Sequence, residues 1–273
     1  MLLRFIAQKE ARRAFSNRTN PVILIYQMGK VGSRSVFEGL KKLQLPNTIL
    51  HVHFLSDDLF AHRNSHRDAG VYPLPYHLAS AFSIRKCLRK NPDHPIKIIT
   101  LVREPVSFII SVLFQPPYFE KEIINPATQG IDPHKLINYL NEKLVHPETF
   151  DYMNKWFDRE LKSVFGIDVF EKPFPVDSGY AVYRKNNVDV LLIRMEDISN
   201  KGPAAISDFL GIKTALAFEM INARGKSADK EMYKQVVNGI RLDPSECRQI
   251  YESKFVRHFY NAEFVEECIL KWT

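Results

Sequence analysis

Short apolar, β-branched runs alternate along the chain with stretches of helical period. PVILIY (21–26) is a short apolar, β-branched run of strand length, and IKIITLV (96–102) is apolar enough for a strand buried in a parallel sheet. TILHVHFL (48–55) alternates instead, setting Ile49, His51 and His53 on one face and Leu50, Val52 and Phe54 on the other. YAVYRK (180–185) and VDVLLIR (188–194) flank Asn186-Asn187, which predicts a hairpin or, alternatively, a sheet strand at 188–194 alone. Between the strands, apolar spacing predicts helices over 33–43, 76–90, 103–114, 132–144, 148–164, 203–210, 230–237 and 244–271. Residues 56–75 are polar, rich in His, Asp and Arg, and contain Pro73 and Pro75; they predict a long loop beside a site, and 116–134 is also loop-rich.

Strands alternating with helices predict an α/β fold of three layers with a central parallel sheet. The expected organisation is one domain over 1–273, with an N-terminal helical extension (1–20) and a C-terminal helix (240–273). Ligands of such sheets bind at the carboxyl ends of the strands. That rule predicts one rim for the segment 27–36, for His51 and His53, and for Arg103.

Composition adds a core and a sign of charge. Hydrophobic residues make up 45% and charged residues 25%, and the net charge of +7 favours anionic partners without choosing among nucleotide, acidic glycan, nucleic acid and membrane surface. Three cysteines are too few for a disulfide framework or zinc site, which makes a reducing cytoplasm the expected compartment. In MLLRFIAQKEARRAF (1–15) the apolar residues precede the basic ones, the reverse of a secretory signal. The segment reads as an amphipathic helix packed on the domain, with reversible contact to an anionic membrane as the other reading.

The chemistry concentrates in QMGKVGSRSV (27–36). A strand, a turn containing Gly29 and Gly32, and hydroxyl residues at a helix start build an anion site from backbone N–H groups, to which Lys30 adds a point charge. The nucleotide-triphosphate loop needs G-x-x-x-x-G-K followed by Ser or Thr. Here Lys30 lies three residues before Ser33, and that pattern fails.

The order Lys-x-Gly-Ser-x-Ser after a strand resembles the 5′-phosphosulfate loop of sulfotransferases that use 3′-phosphoadenosine 5′-phosphosulfate. Arg103, Pro105 and Ser111 form an R-x-P-x₅-S order that resembles the 3′-phosphate segment of the same superfamily. The resemblance spans roughly 21–260 and implies a P-loop-NTPase-like sulfotransferase fold. It also implies donor binding by Gly29, Lys30, Val31, Gly32, Ser33, Arg34, Ser35, Arg103 and Ser111. Arg224 and Lys226, in NARGKSADKEMY (222–233), fall where sulfotransferases often carry a basic loop over the nucleotide. MNKWFDRELKSVFGIDVF (153–170) resembles a bacterial family of capsular polysaccharide synthesis proteins with an Asn-Lys-Trp-Tyr-Ser motif. Asn154, Lys155 and Trp156 match, while Phe157 and Asp158 depart from it. Lys155 and Trp156 thereby become candidate acceptor contacts, although Trp156, Phe157, Leu161 and Val164 also have the spacing of a helix core.

The reaction so implied is sulfuryl transfer to a hydroxyl, on a carbohydrate acceptor, leaving adenosine 3′,5′-bisphosphate. Lys30 would stabilise charge on the departing phosphate, and His53 or, failing it, His51 would take the acceptor proton. No metal ion and no nucleic-acid partner are expected. The competing expectations are a nucleotide kinase-like phosphotransferase and a non-catalytic assembly protein for capsular polysaccharide.

Overall fold

The computed structural model describes residues 2–68, 75–113, 132–213 and 227–273. In chain order the elements are α1 (Leu2–Ser16), β1 (Val22–Tyr26), α2 (Ser33–Lys42), β2 (Ile49–Val52), α3 (Asp58–Asp68), α4 (Tyr76–Lys90), β3 (Ile96–Val102) and α5 (Pro105–Leu113). They continue with α6 (Pro133–Leu144), α7 (Asp151–Trp156), α8 (Ser163–Phe165), β4 (Tyr180–Lys185), β5 (Val188–Arg194), α9 (Gly202–Leu210), α10 (Ser227–Gly239), α11 (Pro244–Tyr251), α12 (Lys254–Phe259) and α13 (Ala262–Trp272). Two compact units result: Met1–Val102 with Trp156–Met220, and Arg103–Lys155 with Ile221–Thr273.

The first unit holds a five-stranded, mostly parallel sheet in the order β2-β1-β3-β5-β4. β1 runs parallel to both β2 and β3, β3 runs parallel to β5, and β4 returns antiparallel on β5. Every residue of β1 is buried, as are all of β3 and β5 except Lys97 and Asp189, which is why these stretches are predominantly apolar. β2 is an edge strand. Only Leu50 and Val52 of it are buried, the side opposite His51. β4 and β5 form the expected two-residue hairpin. Asn186 takes a positive φ of 53°, which asparagine tolerates better than most residues, and Asn187 donates its amide to the carbonyls of Pro92 and His94. α1 packs against α4 through its small residues Ala7, Ala11 and Ala14 and through Phe15. No helix among the described residues is long and apolar enough to cross a membrane.

The second unit packs α5 on α6, α6 on α10, and α11 on α13. Its core includes Phe108, Ile110, Leu136, Leu140, Val236, Phe255 and Trp272. Glu104, 3% exposed, caps α5. Its carboxylate accepts the backbone N–H groups of Val106 and Ser107, both at 2.8 Å, and the Tyr251 hydroxyl at 2.6 Å.

Three expectations need correction. Residues 56–75 are not one long loop, since α3 occupies Asp58–Asp68. Of its residues only Leu59 is buried, so the helix carries no apolar stripe. It is held from outside, by Phe54 stacked on His62 at 3.8 Å and by the Ser56 hydroxyl accepting the Asp58 N–H. The single helix over 244–271 is three. Ser253 and Asn261 act as N-caps, accepting the N–H groups of Val256 and Phe264, and restart the chain in new directions. The helix over 148–164 is also interrupted, by a 3₁₀ turn at Pro147–Phe150 and a π-helical segment at Phe157–Lys162.

Candidate functional site

β1 ends in the loop that carries the phosphate-binding expectation. Lys30 sits at φ 68° and Gly32 at φ 84°, both in the left-handed region. For lysine that conformation is uncommon and costs roughly 1–2 kcal/mol, a kind of strain that concentrates at functional sites. Gly32 is the N-cap of α2, and no side chain caps the helix. The φ of 84° favours glycine here, and a Cβ on Gly32 would lie 2.3 Å from the Met195 sulfur and displace the end of that flexible side chain. A Cβ on Gly29 would meet nothing within 4 Å, leaving open space over the first half of the turn. Val31, Ser33 and Ser35 are buried, Lys30 is half-buried and Arg34 is exposed. The loop thus offers uncapped N–H groups at a helix start and open space, with a lysine and an arginine beside them. Gln27, directly before the loop and fully buried, has both side-chain polar atoms without a hydrogen-bond partner. A polar, anionic group of phosphate size fits these features.

His53 lies at the same end of the sheet, one residue past β2. Its Nδ1 is 2.8 Å from the carbonyl of Gln27. A carbonyl only accepts, so Nδ1 carries the proton and Nε2 keeps its lone pair. Burial pushes the His53 pKa below its ordinary value, against a smaller upward pull from that carbonyl, and the ring is neutral at neutral pH. A neutral imidazole with an oriented Nε2 is a competent general base. His51 sits behind it, ring centroids 4.6 Å apart. Burial and then the charge of His53 push His51 down to about 3, and its Nε2 is buried without a partner.

Within the Asn-Lys-Trp segment, Trp156 supports His53 from the core. Trp156 is 1% exposed, too enclosed to offer a ring face to a sugar, and its indole N–H donates to the backbone carbonyl of His53 at 3.3 Å. The expectation of acceptor contact at Trp156 is corrected by this burial. Lys155 is exposed and pairs with Asp151 at 2.5 Å, one helical turn back.

Sequence reasoning missed the group that ties these parts together. Glu160, 1% exposed, lies in the π-helical segment. Its carboxylate accepts from the Tyr26 hydroxyl at the end of β1, from the backbone N–H groups of Leu55 (2.7 Å) and Ser56 (2.9 Å), and from the Ser56 hydroxyl (2.5 Å). One buried acid therefore fixes the strand that leads into the lysine loop and the turn that follows His53. Four donors offset much of the cost of burying it. Its sequence signal is faint: a glutamate beside Phe157 and Leu161 in a helix that widens by one residue per turn.

Arg103 and Ser111 lie in the second unit, Arg103 just before α5 and Ser111 in its last turn, both half-buried. Six residues separate Ser111 from Pro105, about 9 Å of helix. Glu104 already satisfies the first N–H groups of α5, so Arg103 and Ser111, not the helix end, are the groups that could hold an anion here. Arg224 and Lys226 lie outside the described residues.

The histidines give a pH prediction. His51 and His53, His62 stacked on Phe54, and His66 with His77 at 6.2 Å gather β2, α3 and the start of α4. Partial burial, then the charges of His53, His66 and His62, push His77 down to about 4. Burial also lowers His62, against upward pulls from Asp58 and Glu160. Unfolded histidines titrate near ~6.5. Above that pH neither state is protonated and the full stability is present. As pH falls below it the unfolded chain takes up protons that folded His51 and His77 refuse until about pH 3–4, so stability is lost. Thermal melts should show a lower Tm at pH 5 than at pH 7, with a smaller drop in His51→Leu. A Tm unchanged between those pH values would contradict it.

Residues 129–261, just under half of the chain, match the model of the NKWYS family, described as "Putative capsular polysaccharide synthesis protein". The match begins after the lysine loop and His53 and includes Trp156, Glu160, β4 and β5. No curated protein and no solved structure matches the chain.

Proposed function

We propose that this protein transfers a sulfuryl group from 3′-phosphoadenosine 5′-phosphosulfate to a hydroxyl of a carbohydrate, on a fold of the sulfotransferase kind. The observation that carries the reading is the loop of β1 and α2: a left-handed Lys30, a glycine N-cap that no side chain caps, and beside it a neutral His53 whose Nε2 is held as a base. The donor supplies the activated sulfuryl group when bound. Lys30 and the N–H groups at the start of α2 would meet the charge that develops on the 5′-phosphate as its bond to sulfur breaks, and His53 Nε2 would take the proton from the attacking hydroxyl. The tether from Trp156 to the His53 carbonyl and the Glu160 bonds to Leu55 and Ser56 keep that nitrogen in place. The proposed role of Arg103 and Ser111, holding the 3′-phosphate, rests on their R-x-P-x₅-S order alone.

Calorimetry with adenosine 3′,5′-bisphosphate tests the proposal directly. The wild-type protein should bind it more tightly than adenosine 5′-monophosphate. Arg103→Ala or Ser111→Ala should erase most of that difference, by about ten- to a hundredfold in Kd, the worth of a charged hydrogen bond. Equal weakening of both nucleotides would remove these residues from the 3′-phosphate. One observation favours a second reading, a non-catalytic assembly protein for capsular polysaccharide: the family match covers 129–261 and leaves the lysine loop outside. No binding of either nucleotide would favour it.

A further inference from the structure

β4 is an outer strand of the sheet, and among the described residues it pairs on the edge facing β5. Beside it the segment 166–175 lies against the strand, and the two enclose a groove of about 740 Å³. Ligand sites commonly fall between ~300 and ~1,000 Å³. The lining mixes flat and charged groups: the rings of Tyr180 and Tyr183, Pro173 and Pro175, and the cations Lys172 and Arg184. Of the acids there, Asp168 is engaged by Lys162 at 2.7 Å, which leaves Glu171 against the three cations Lys172, Arg184 and Lys185, with Arg184 also 3.7 Å from Asp189. Lys185 donates to the carbonyl of Gly166 at 2.8 Å and ties the segment to the strand at one end.

A second observation points to a ligand. The Tyr183 hydroxyl is buried and has no hydrogen-bond partner. An unpaired buried hydroxyl is destabilising unless a ligand or water completes it. Burial, and then the charge of Asp168, push this phenol up to about 12, so it stays protonated and can donate. Flat rings beside cations and a waiting hydroxyl match a sugar, whose ring has apolar faces and a polar rim. The strand's direction adds a path. Tyr180 pairs with Ile193 near the carboxyl end of β5, and Lys185 pairs with Val188 at its start. The Tyr180 end of the groove therefore opens at the end of the sheet where the lysine loop sits, three strand spacings or about 14 Å across from β1. An extended peptide adding to the outer edge is the less favoured occupant, because Arg184 and Lys185 place charges on that strand and such charges discourage strand addition.

We propose that the groove along β4 binds a carboxylate-bearing oligosaccharide and leads its chain toward the lysine loop. Calling that chain the acceptor rests on the sulfuryl-transfer reading. The test uses the full chain without nucleotide and titrates it by calorimetry with oligogalacturonate hexamer, maltohexaose and a hexaglutamate peptide. Oligogalacturonate should bind, with maltohexaose at least tenfold weaker and hexaglutamate not competing. Tyr183→Phe, which keeps the ring, should weaken the acidic sugar by about three- to tenfold, and Lys172→Ala with Arg184→Ala should bring the two sugars to similar affinity. Arg184 and Lys172 are exposed, so this variant keeps the test open should Tyr183→Phe fold poorly. Absent sugar binding, indifference to both variants, or hexaglutamate binding in place of the sugar would overturn the proposal. Because no nucleotide is present, these outcomes are independent of adenosine 3′,5′-bisphosphate binding, which tests the transfer reading by itself.

Discussion

Lys30→Ala is expected to abolish sulfuryl transfer while the protein melts close to the wild-type temperature. The side chain is half-buried in a turn and outside the apolar core, so little packing is lost. Alanine must still adopt the φ of 68°, at about the same cost as lysine, which keeps the backbone strain common to both proteins. What disappears is the cation at the start of α2, which no side chain caps and where the proposed transfer would develop charge. Removing one preorganised donor of this kind costs ~10²–10³ in turnover. Release of adenosine 3′,5′-bisphosphate measures the rate, and thermal melting measures the fold. A variant with full turnover would detach Lys30 from the chemistry, and one that unfolds would make it structural.

His53→Ala carries the second large effect. It should keep the affinity for adenosine 3′,5′-bisphosphate and lose turnover by ~10²-fold or more, since the proposed general base is gone and the loop is untouched. If His53 is the base, its lowered pKa sets the pH dependence of transfer: the ring is neutral at neutral pH, and turnover should fall only as pH drops through a value below the ordinary histidine range. His51→Ala should act mainly on stability, because its ring is held neutral and half-buried behind His53. Wild-type turnover in His53→Ala with loss in His51→Ala would exchange the two roles. Activity in both variants would place the base elsewhere.

The alternation of strands and helices was legible because each element states its own period. β1 is apolar throughout, and β3 and β5 are mostly so, since both faces are covered, and the hairpin shows in two asparagines between two strand-like runs. The turn of Gly29, Lys30 and Gly32 was legible for a local reason too, the need for left-handed backbone at Gly32. What stayed hidden depends on partners far along the chain. α3 has no apolar stripe and is held by Phe54 and Ser56 just before it and, from α4, by the ring of Phe82 against Phe60. Glu160 reads as an ordinary solvated glutamate until the π-helical turn directs it inward beside Phe157 and Leu161. Trp156 fits a sugar platform by motif and a core residue by spacing, and burial decides for the core. Glu104 left a signal that could have been used, an acid directly before a proline at a helix start, where a carboxylate cap is favourable.

The bonds of Glu160 also set an order of events at the ribosome. Its partner Tyr26 lies 134 residues earlier in the chain, and Leu55 and Ser56 lie 105 and 104 residues earlier. At typical elongation rates the interval between making β1 and making its acid partner is on the order of ten seconds. Through that time the nascent chain holds an apolar strand, two donating N–H groups and two hydroxyls that nothing yet completes. The lysine loop is thus translated early and locked late, and a nascent chain that stops short of residue 160 has every residue of that loop without the acid that fixes its strand.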